Sequence, residues 1–359
     1  MPTRVIDRRT FNQTLALSVL GATVAAPSWA QGRKRSLTIG HTGITWPGRP
    51  AGRRGGAPGA IAAGTEAPTP APAPGAADQQ SVSAAAPAPP PPNVRAGGPP
   101  APADPALNET IFKDVSELGF AGLELFDWQI NSLESQGVLA ALVEKYKLPL
   151  ISSYTSVNLT DPAARSQTVA AAVSVGNILK KYGGRTIVIG PSGRVGGQSY
   201  DYAVHKQDIV ATLDEVGKAI TDIGLIAALH QHTGTAVETR DETYQTMEAV
   251  DTRYVKFGPD IGRLQKGGVD PLEVVTHFLP VVQHMHFKDW VGGPSMAGYC
   301  PLGLGKVNLA GILDLMDGRK LEGMIMVELD SGGQMPYTPR EAAQIAHDFL
   351  VKNGVTMRS

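Results

Sequence analysis

The sequence predicts a single α/β domain folded as a (β/α)8, or TIM, barrel. Strand and helix signals alternate with little interruption from residue 106 onward, and they make eight βα units once a short apolar strand near the N-terminus is counted. Alternation at this spacing implies parallel strands joined by helical crossovers, and eight such units close on themselves. An open doubly wound sheet would share the pattern, but no glycine-rich fingerprint follows the first strand.

The first thirty residues stand apart from that domain. Arg4, Arg8 and Arg9 make a basic start, Leu15 to Ala26 is a short apolar run, and Ser28-Trp29-Ala30 supplies small residues for cleavage after Ala30. This is the pattern of an export signal. Asp7-Arg8-Arg9-Thr10-Phe11 is similar to a twin-arginine signal, although Asn12 and Gln13 depart from it. An ordinary secretory signal with incidental arginines is the alternative. The expectation is a periplasmic protein that engages the twin-arginine translocase during export. That route carries folded proteins.

Residues 36–45 hold the first barrel strand, with Ser36 to Gly40 as its apolar part. Residues 46–105 are dominated by Ala, Pro and Gly, a composition that cannot bury enough apolar surface to offset its ordering entropy. A disordered insertion after the first strand is expected there. Residues 106–359 supply the rest of the barrel. Glu109 to Leu118 reads as a helix closed by Gly119, Gly122 to Phe126 as the second strand, Val138 to Tyr146 as a helix and Pro149 to Tyr154 as the third strand. Asp161-Pro162 has the cap-then-proline order of a helix start and leads a helix to Tyr182. Thr186 to Ile189 is the fourth strand, followed by a helix from Tyr202 to Ile223 that Gly224 stops. The fifth to eighth strands are Leu225 to His230, Val255 to Gly258, Val282 to Lys288 and Gly323 to Glu328. Their helices run from Asp241 to Val250, Pro271 to Leu279, Leu309 to Met316 and Pro339 to Lys352.

Composition narrows the function classes. The net charge of -1 gives no footprint for nucleic acid. Cys300 is the single cysteine, so neither an intrachain disulfide nor a cysteine metal cluster can form. No apolar run reaches the ~20 residues a membrane-spanning helix needs, so stable membrane insertion is not expected.

The chemistry gathers at the C-terminal ends of the last four barrel strands. His230-Gln231-His232 ends the fifth, Asp260 follows the sixth, His284-Met285-His286-Phe287-Lys288-Asp289 makes the seventh, and Glu328 ends the eighth. Side chains alternate along a strand, so His284, His286 and Lys288 share the inner face while Met285 and Phe287 meet the outer helices. Imidazoles and carboxylates converging on one end of a barrel suit a divalent metal.

These stretches resemble the xylose isomerase-like barrel superfamily of sugar phosphate isomerases and epimerases, and in particular its inosose dehydratase branch. The residues that carry the resemblance are Leu229 to Thr239, Asp260 to Leu264, Gly268 to Pro271, His284 to Asp289 and Val327-Glu328. It implies one divalent ion held by His230, Asp260, His286 and Glu328, with Mn2+ preferred and Co2+, Fe2+, Mg2+ or Zn2+ possible. It implies a small carbohydrate substrate whose carbonyl and neighbouring hydroxyl chelate that ion, and an enediolate formed when Glu328 or His230 removes a proton. Lys288 would donate a proton or stabilise the oxyanion. Glu124, His232, Arg263 and His41 are the candidate substrate contacts. Two departures matter: epimerases of this group carry Glu where His230 stands, and Arg263 replaces a neutral histidine. Pro191-Ser192-Gly193-Arg194 reads as a turn, and Cys300 as a packed thiol.

Three readings follow. A metal-dependent isomerase or epimerase comes first, and a carbon–oxygen lyase on a keto-sugar or keto-inositol is nearly equal to it. A non-catalytic periplasmic carbohydrate-binding protein comes from another class. A repair nuclease is disfavoured, because that chemistry needs more metal ligands and a basic groove.

Overall fold

The computed structural model describes residues 34–47, 102–330 and 335–358. The expected signal, its cleavage after Ala30 and most of the 46–105 insertion lie outside those residues. The barrel strands are β1 (Ile39–Thr42), β2 (Leu123–Phe126), β3 (Leu150–Val157), β4 (Thr186–Pro191), β5 (Ile226–Leu229), β6 (Val255–Phe257), β7 (Met285–Phe287) and β10 (Ile325–Val327). A small hairpin, β8 (Asp289–Trp290) and β9 (Tyr299–Cys300), precedes the last strand. The sheet order is β6-β5-β4-β3-β2-β1-β10-β7, and each pairing is parallel. Two isolated parallel bridges, Phe257↔Val282 and Asp260↔His286, span the remaining gap between β6 and β7. The expected single-domain (β/α)8 barrel is therefore what forms.

Around the barrel run α1 (Pro105–Glu117), α2 (Asp127–Ser135), α3 (Leu139–Tyr146), α4 (Arg165–Lys181), α5 (Tyr202–Asp222), α6 (Arg240–Met247), α7 (Ile261–Lys266), α8 (Pro271–His277), α9 (Leu309–Met316) and α10 (Pro339–Lys352). Met285 and Phe287 join the apolar layer between barrel and helices, as alternation requires. Inside the barrel the lower layer is apolar, formed by Ile151, Met324 and Met326. Above it the interior turns polar.

Several boundaries differ from the sequence reading. β1 begins at Ile39 and ends at Thr42, and a 3-10 turn (Gly43–Thr45) follows it. Trp46, expected to open the insertion, is buried and donates its Nε1–H to Asp114 Oδ2 at 3.0 Å. Helix α1 starts at Pro105, inside the expected insertion, because Asp104 caps it by accepting from the Ala106 amide at 2.9 Å. Helices α2 and α7 and the β8–β9 hairpin were not anticipated. Among the described residues no helix is long and apolar enough to cross a membrane.

Candidate active site

β7 carries the centre of the site. His284, His286 and, just past the strand, Lys288 all project into the barrel and are buried. Asp260 caps α7 by accepting from the Arg263 amide at 2.9 Å, which points its carboxylate into the mouth. Gly262 makes room for Lys288, since a Cβ there would lie 2.8–3.1 Å from the Cγ, Cβ and Cδ of the lysine. That is the local reason for the Asp-x-Gly spacing after β6.

His230, Asp260 and His286 each offer a ligand atom, all within 4.8 Å of one another. The Nδ1 of His230 is buried without a hydrogen-bond partner. Glu328 sits beside them, with Oε2 2.5 Å from His286 Nδ1 and Oε1 2.5 Å from Lys288 Nζ. The four ligands that the family resemblance implied thus share one mouth. The orphaned imidazole nitrogen is an observation in favour of an ion. Charge is another: Glu124, Asp260, Glu328 and Asp330 face Lys288 and Arg263. The carboxylates outnumber the two fixed cations, an excess of negative charge that a cation would offset. The residues fit the metal.

Glu124 and His41 do not stand where the sequence placed them. Glu124 lies a layer below the mouth, 2% exposed. Its Oε1 is 2.8 Å from His286 Nε2, and its Oε2 accepts from Ser152 at 2.6 Å and from His284 Nε2 at 3.1 Å. It orients imidazoles from beneath and has no oxygen left for a substrate. His284 Nδ1 accepts from the Met324 amide at 3.5 Å, which fixes this histidine as the neutral Nε2–H tautomer. The same Glu124, His284 and His286 form a second group of possible metal ligands. His41 pairs in register with Leu123 and Val327 on the outer face of the wall. Its ring packs edge-on against Trp46 and Phe120, 5.3 and 4.9 Å away. Alternation turned it outward, because Gly40 and Thr42 take the inner positions.

Arg263 is only slightly exposed, and its guanidinium is committed. Nε is 3.1 Å from Asp260, one terminal nitrogen 2.9 Å from Asp330, and the other donates to the Tyr299 hydroxyl at 3.3 Å. It is therefore not a free cation for an anionic substrate. Arg194 likewise pairs with Glu238 at 3.1 Å and Glu242 at 2.7 Å, which supports the turn reading of its loop. A cavity of about 430 Å³ opens beside the site, walled by Gln231, Thr233, Arg263 and Lys266 among others. It touches the ligands through Gln231, whose Nε2 donates to the Asp260 carbonyl at 2.9 Å.

Protonation follows from these contacts. Burial resists charging His286, but Glu124 and Glu328 outweigh it and raise its pKa well above the ordinary value. Burial also opposes ionising Glu328, yet His286 and Lys288 hold its carboxyl well below the usual range. Lys288 keeps its proton despite burial and Arg263, because Asp260 at 3.2 Å, Asp330 at 3.0 Å and Glu328 surround it. An ammonium so held acts as a fixed charge rather than a proton donor. Burial and then Arg263 push the His232 pKa well down. Its Nδ1 lies 2.8 Å from the Thr233 carbonyl, which can only accept, so the neutral ring keeps its lone pair on Nε2.

Two residues at the mouth were missed in the sequence. Tyr154 on β3 packs its ring 5.3 Å from His230, 6.4 Å from His232 and 6.5 Å from His286. Asp330 contacts Lys288 and Arg263. Both lie two residues beyond inward positions, Ser152 and Glu328, so the alternation rule applied to β7 would have found them.

Residues 112–353 match the model of the xylose isomerase-like TIM barrel family. The inosose dehydratase of Clostridium perfringens (strain 13) is 24% identical over 247 residues, covering 62% of this chain and 82% of that protein. A probable 3-DHS dehydratase of Bacillus anthracis superposes with a TM-score of 0.57 at 18% identity, covering 67% of this chain and 92% of that one. A xylose isomerase-like barrel protein of Mycobacterium smegmatis, solved in complex with magnesium, gives 0.55 at 19% identity over 70% and 90%. These two structural likenesses speak for the fold alone. The match over residues 112–353 decides the family: the chain belongs to the xylose isomerase-like TIM barrel proteins.

Proposed function

We propose that the protein is a divalent-metal-dependent carbon–oxygen lyase that removes water from a small unphosphorylated keto-polyol. The observation that carries this reading is the asymmetry of the mouth. Glu328 is held by Lys288 and His286, and the facing position is His230 rather than a second carboxylate. Epimerisation works with a base on one side of a carbon and an acid on the other, a task that two facing carboxylates would share, and His230 stands where the second one would be. Elimination needs one base. The inosose dehydratase relatives support the same choice.

His230, Asp260, His286 and Glu328 would hold the ion, which when bound polarises the substrate carbonyl and steadies the charge that develops on its oxygen. Mn2+ suits this donor set, as do Co2+, Fe2+, Mg2+ and Zn2+. His232, neutral and with its lone pair on Nε2, takes the proton from the carbon beside the carbonyl. The same proton then leaves with the hydroxyl of the next carbon as water, and a carbon–carbon double bond remains. Lys288 provides countercharge from below. With Arg263 committed to Asp260 and Asp330, a neutral polyol suits the mouth better than a phosphate ester. The Arg8-Arg9 signal further supports export to the periplasm by the twin-arginine route, testable by cell fractionation with and without an Arg8→Lys/Arg9→Lys change.

The test of function is mass analysis of Mn2+-loaded protein incubated with 2-keto-myo-inositol and a panel of ketoses. A product one water lighter supports the lyase. A product of unchanged mass with altered stereochemistry replaces it with the isomerase. Tight binding without turnover leaves a carbohydrate-binding protein.

A further inference from the structure

Tyr154 brings to the mouth a polar atom that the protein does not engage. Its hydroxyl makes no hydrogen bond among the described residues, although the ring is confined on several sides. Phe126 packs edge-on at 5.4 Å, His230 edge-on at 5.3 Å, and His232 and His286 lie within 6.5 Å. Below the ring lies β4. A Cβ at position 190 would overlap the Cζ, Cε1 and Oη of Tyr154. Gly190 has no positive φ to explain it. Its neighbours along this buried strand are Ile189 and Pro191, and a strand interior disfavours glycine. The missing side chain is therefore a seat for the phenol end of Tyr154.

We propose that Gly190 seats Tyr154 so that its hydroxyl contacts an oxygen of the polyol bound at the metal centre. The inference rests on the lyase reading for its ligand and deepens it by naming a substrate-recognition residue. A phenol donates one hydrogen bond and accepts another, which matches a hydroxyl of a polyol. A ring pinned by four aromatic neighbours and a glycine floor holds that hydroxyl with little rotamer entropy to lose. A seat is needed only if the position of the hydroxyl matters, because a ring present merely for packing would tolerate a shift.

The test uses Tyr154→Phe, Gly190→Ala and the double variant in Mn2+-loaded protein. For each, turnover of the keto-polyol panel is read together with calorimetric binding of 2-keto-myo-inositol, metal content and thermal midpoint. Loss of one well-placed hydrogen bond to a substrate predicts that Tyr154→Phe lowers kcat/KM or weakens binding about 10- to 100-fold. Metal content and midpoint should stay at wild-type levels. Gly190→Ala should produce a similar loss by displacing the phenol, and the double variant should be no worse than either single one. Wild-type kinetics in Tyr154→Phe would overturn the assignment, as would loss of metal in step with activity. A wild-type protein that neither binds nor converts any member of the panel overturns the lyase reading and this assignment with it. Conversion by wild type that Tyr154→Phe matches overturns the tyrosine alone.

Discussion

Glu328 Oε1 and Lys288 Nζ meet at 2.5 Å with both side chains almost fully buried. The pair is not isolated, since Asp260 and Asp330 also reach the same ammonium. Removing one member of such a cluster leaves uncompensated charge in a low-dielectric interior. Lys288→Met should cost about 3–5 kcal/mol of stability, measured by urea unfolding of the metal-free protein, and should abolish turnover. Because three carboxylates are then left facing each other, added Mn2+ should restore more stability to the variant than it adds to wild type. Equal metal-induced gains in both proteins would contradict the charge accounting.

Glu124 gives a different signature. It touches both His284 and His286 from beneath the mouth, and a carboxylate behind a metal-ligating imidazole fixes its tautomer and raises its basicity. Glu124→Gln keeps the volume but cannot accept on both oxygens. Metal affinity should fall about 10–100-fold with the circular-dichroism spectrum unchanged, as read by competition with a metallochromic dye.

Acid should destabilise the fold partly through His41. Burial pushes its pKa down to about 4, only partly offset by its bond to the Thr42 carbonyl and by Glu328. Above pH 6.5 neither folded nor unfolded His41 carries the extra proton, and the full stability is present. As pH falls from 6.5 to 4 the unfolded chain takes up a proton that the folded one refuses, and stability declines by about 3 kcal/mol. Below 4 this contribution declines no further. His41→Phe should flatten that part of the stability-against-pH curve, and a slope identical to wild type would remove His41 from the explanation.

Gly262→Ala places a methyl against the Lys288 stem. The backbone can accept alanine here, so the fold should survive with a midpoint within a few degrees of wild type. The displaced ammonium should cost turnover about 10²-fold, visible in kcat more than in KM.

The barrel was legible because its strands carry period-two patterning and its last four strands end in chemistry-bearing residues. The α1 start was not. Asp104-Pro105 has the same cap-then-proline order that identified Asp161-Pro162, but it sits among so many prolines and alanines that composition masked it. Helices α2 and α7 are short and follow their strands after no more than three residues, so 127–135 and 261–266 carry too few turns to show a helical period. Glu124 and His41 were misplaced for one reason: the sequence shows that a polar residue lies near a strand end, but not how deep along the strand or on which face. With Gly40 and Thr42 facing inward, the pairing of His41 with Leu123 and Val327 sets it on the outer wall.

The barrel's seam has a consequence for how the protein lasts as well as for what it does. Between β6 and β7 there is no regular ladder among the described residues. The chain there is joined by two bridges and by bonds such as His286 N–H to the Pro259 carbonyl at 2.9 Å and Gln283 N–H to the Phe257 carbonyl at 3.1 Å. Asp260 and His286 stand on opposite sides of that seam, so an ion taken by both works as a clasp on an otherwise lightly fastened cylinder. An ion that binds only the closed form stabilises it by mass action, by about 2.7 kcal/mol at a hundred times its Kd. Chelation should therefore quicken amide exchange first at residues 257–260 and 283–287, while the ladder of β3 and β4 stays protected. Catalysis and mechanical closure would then depend on the same two side chains, and loss of the ion would loosen the fold where the reaction takes place.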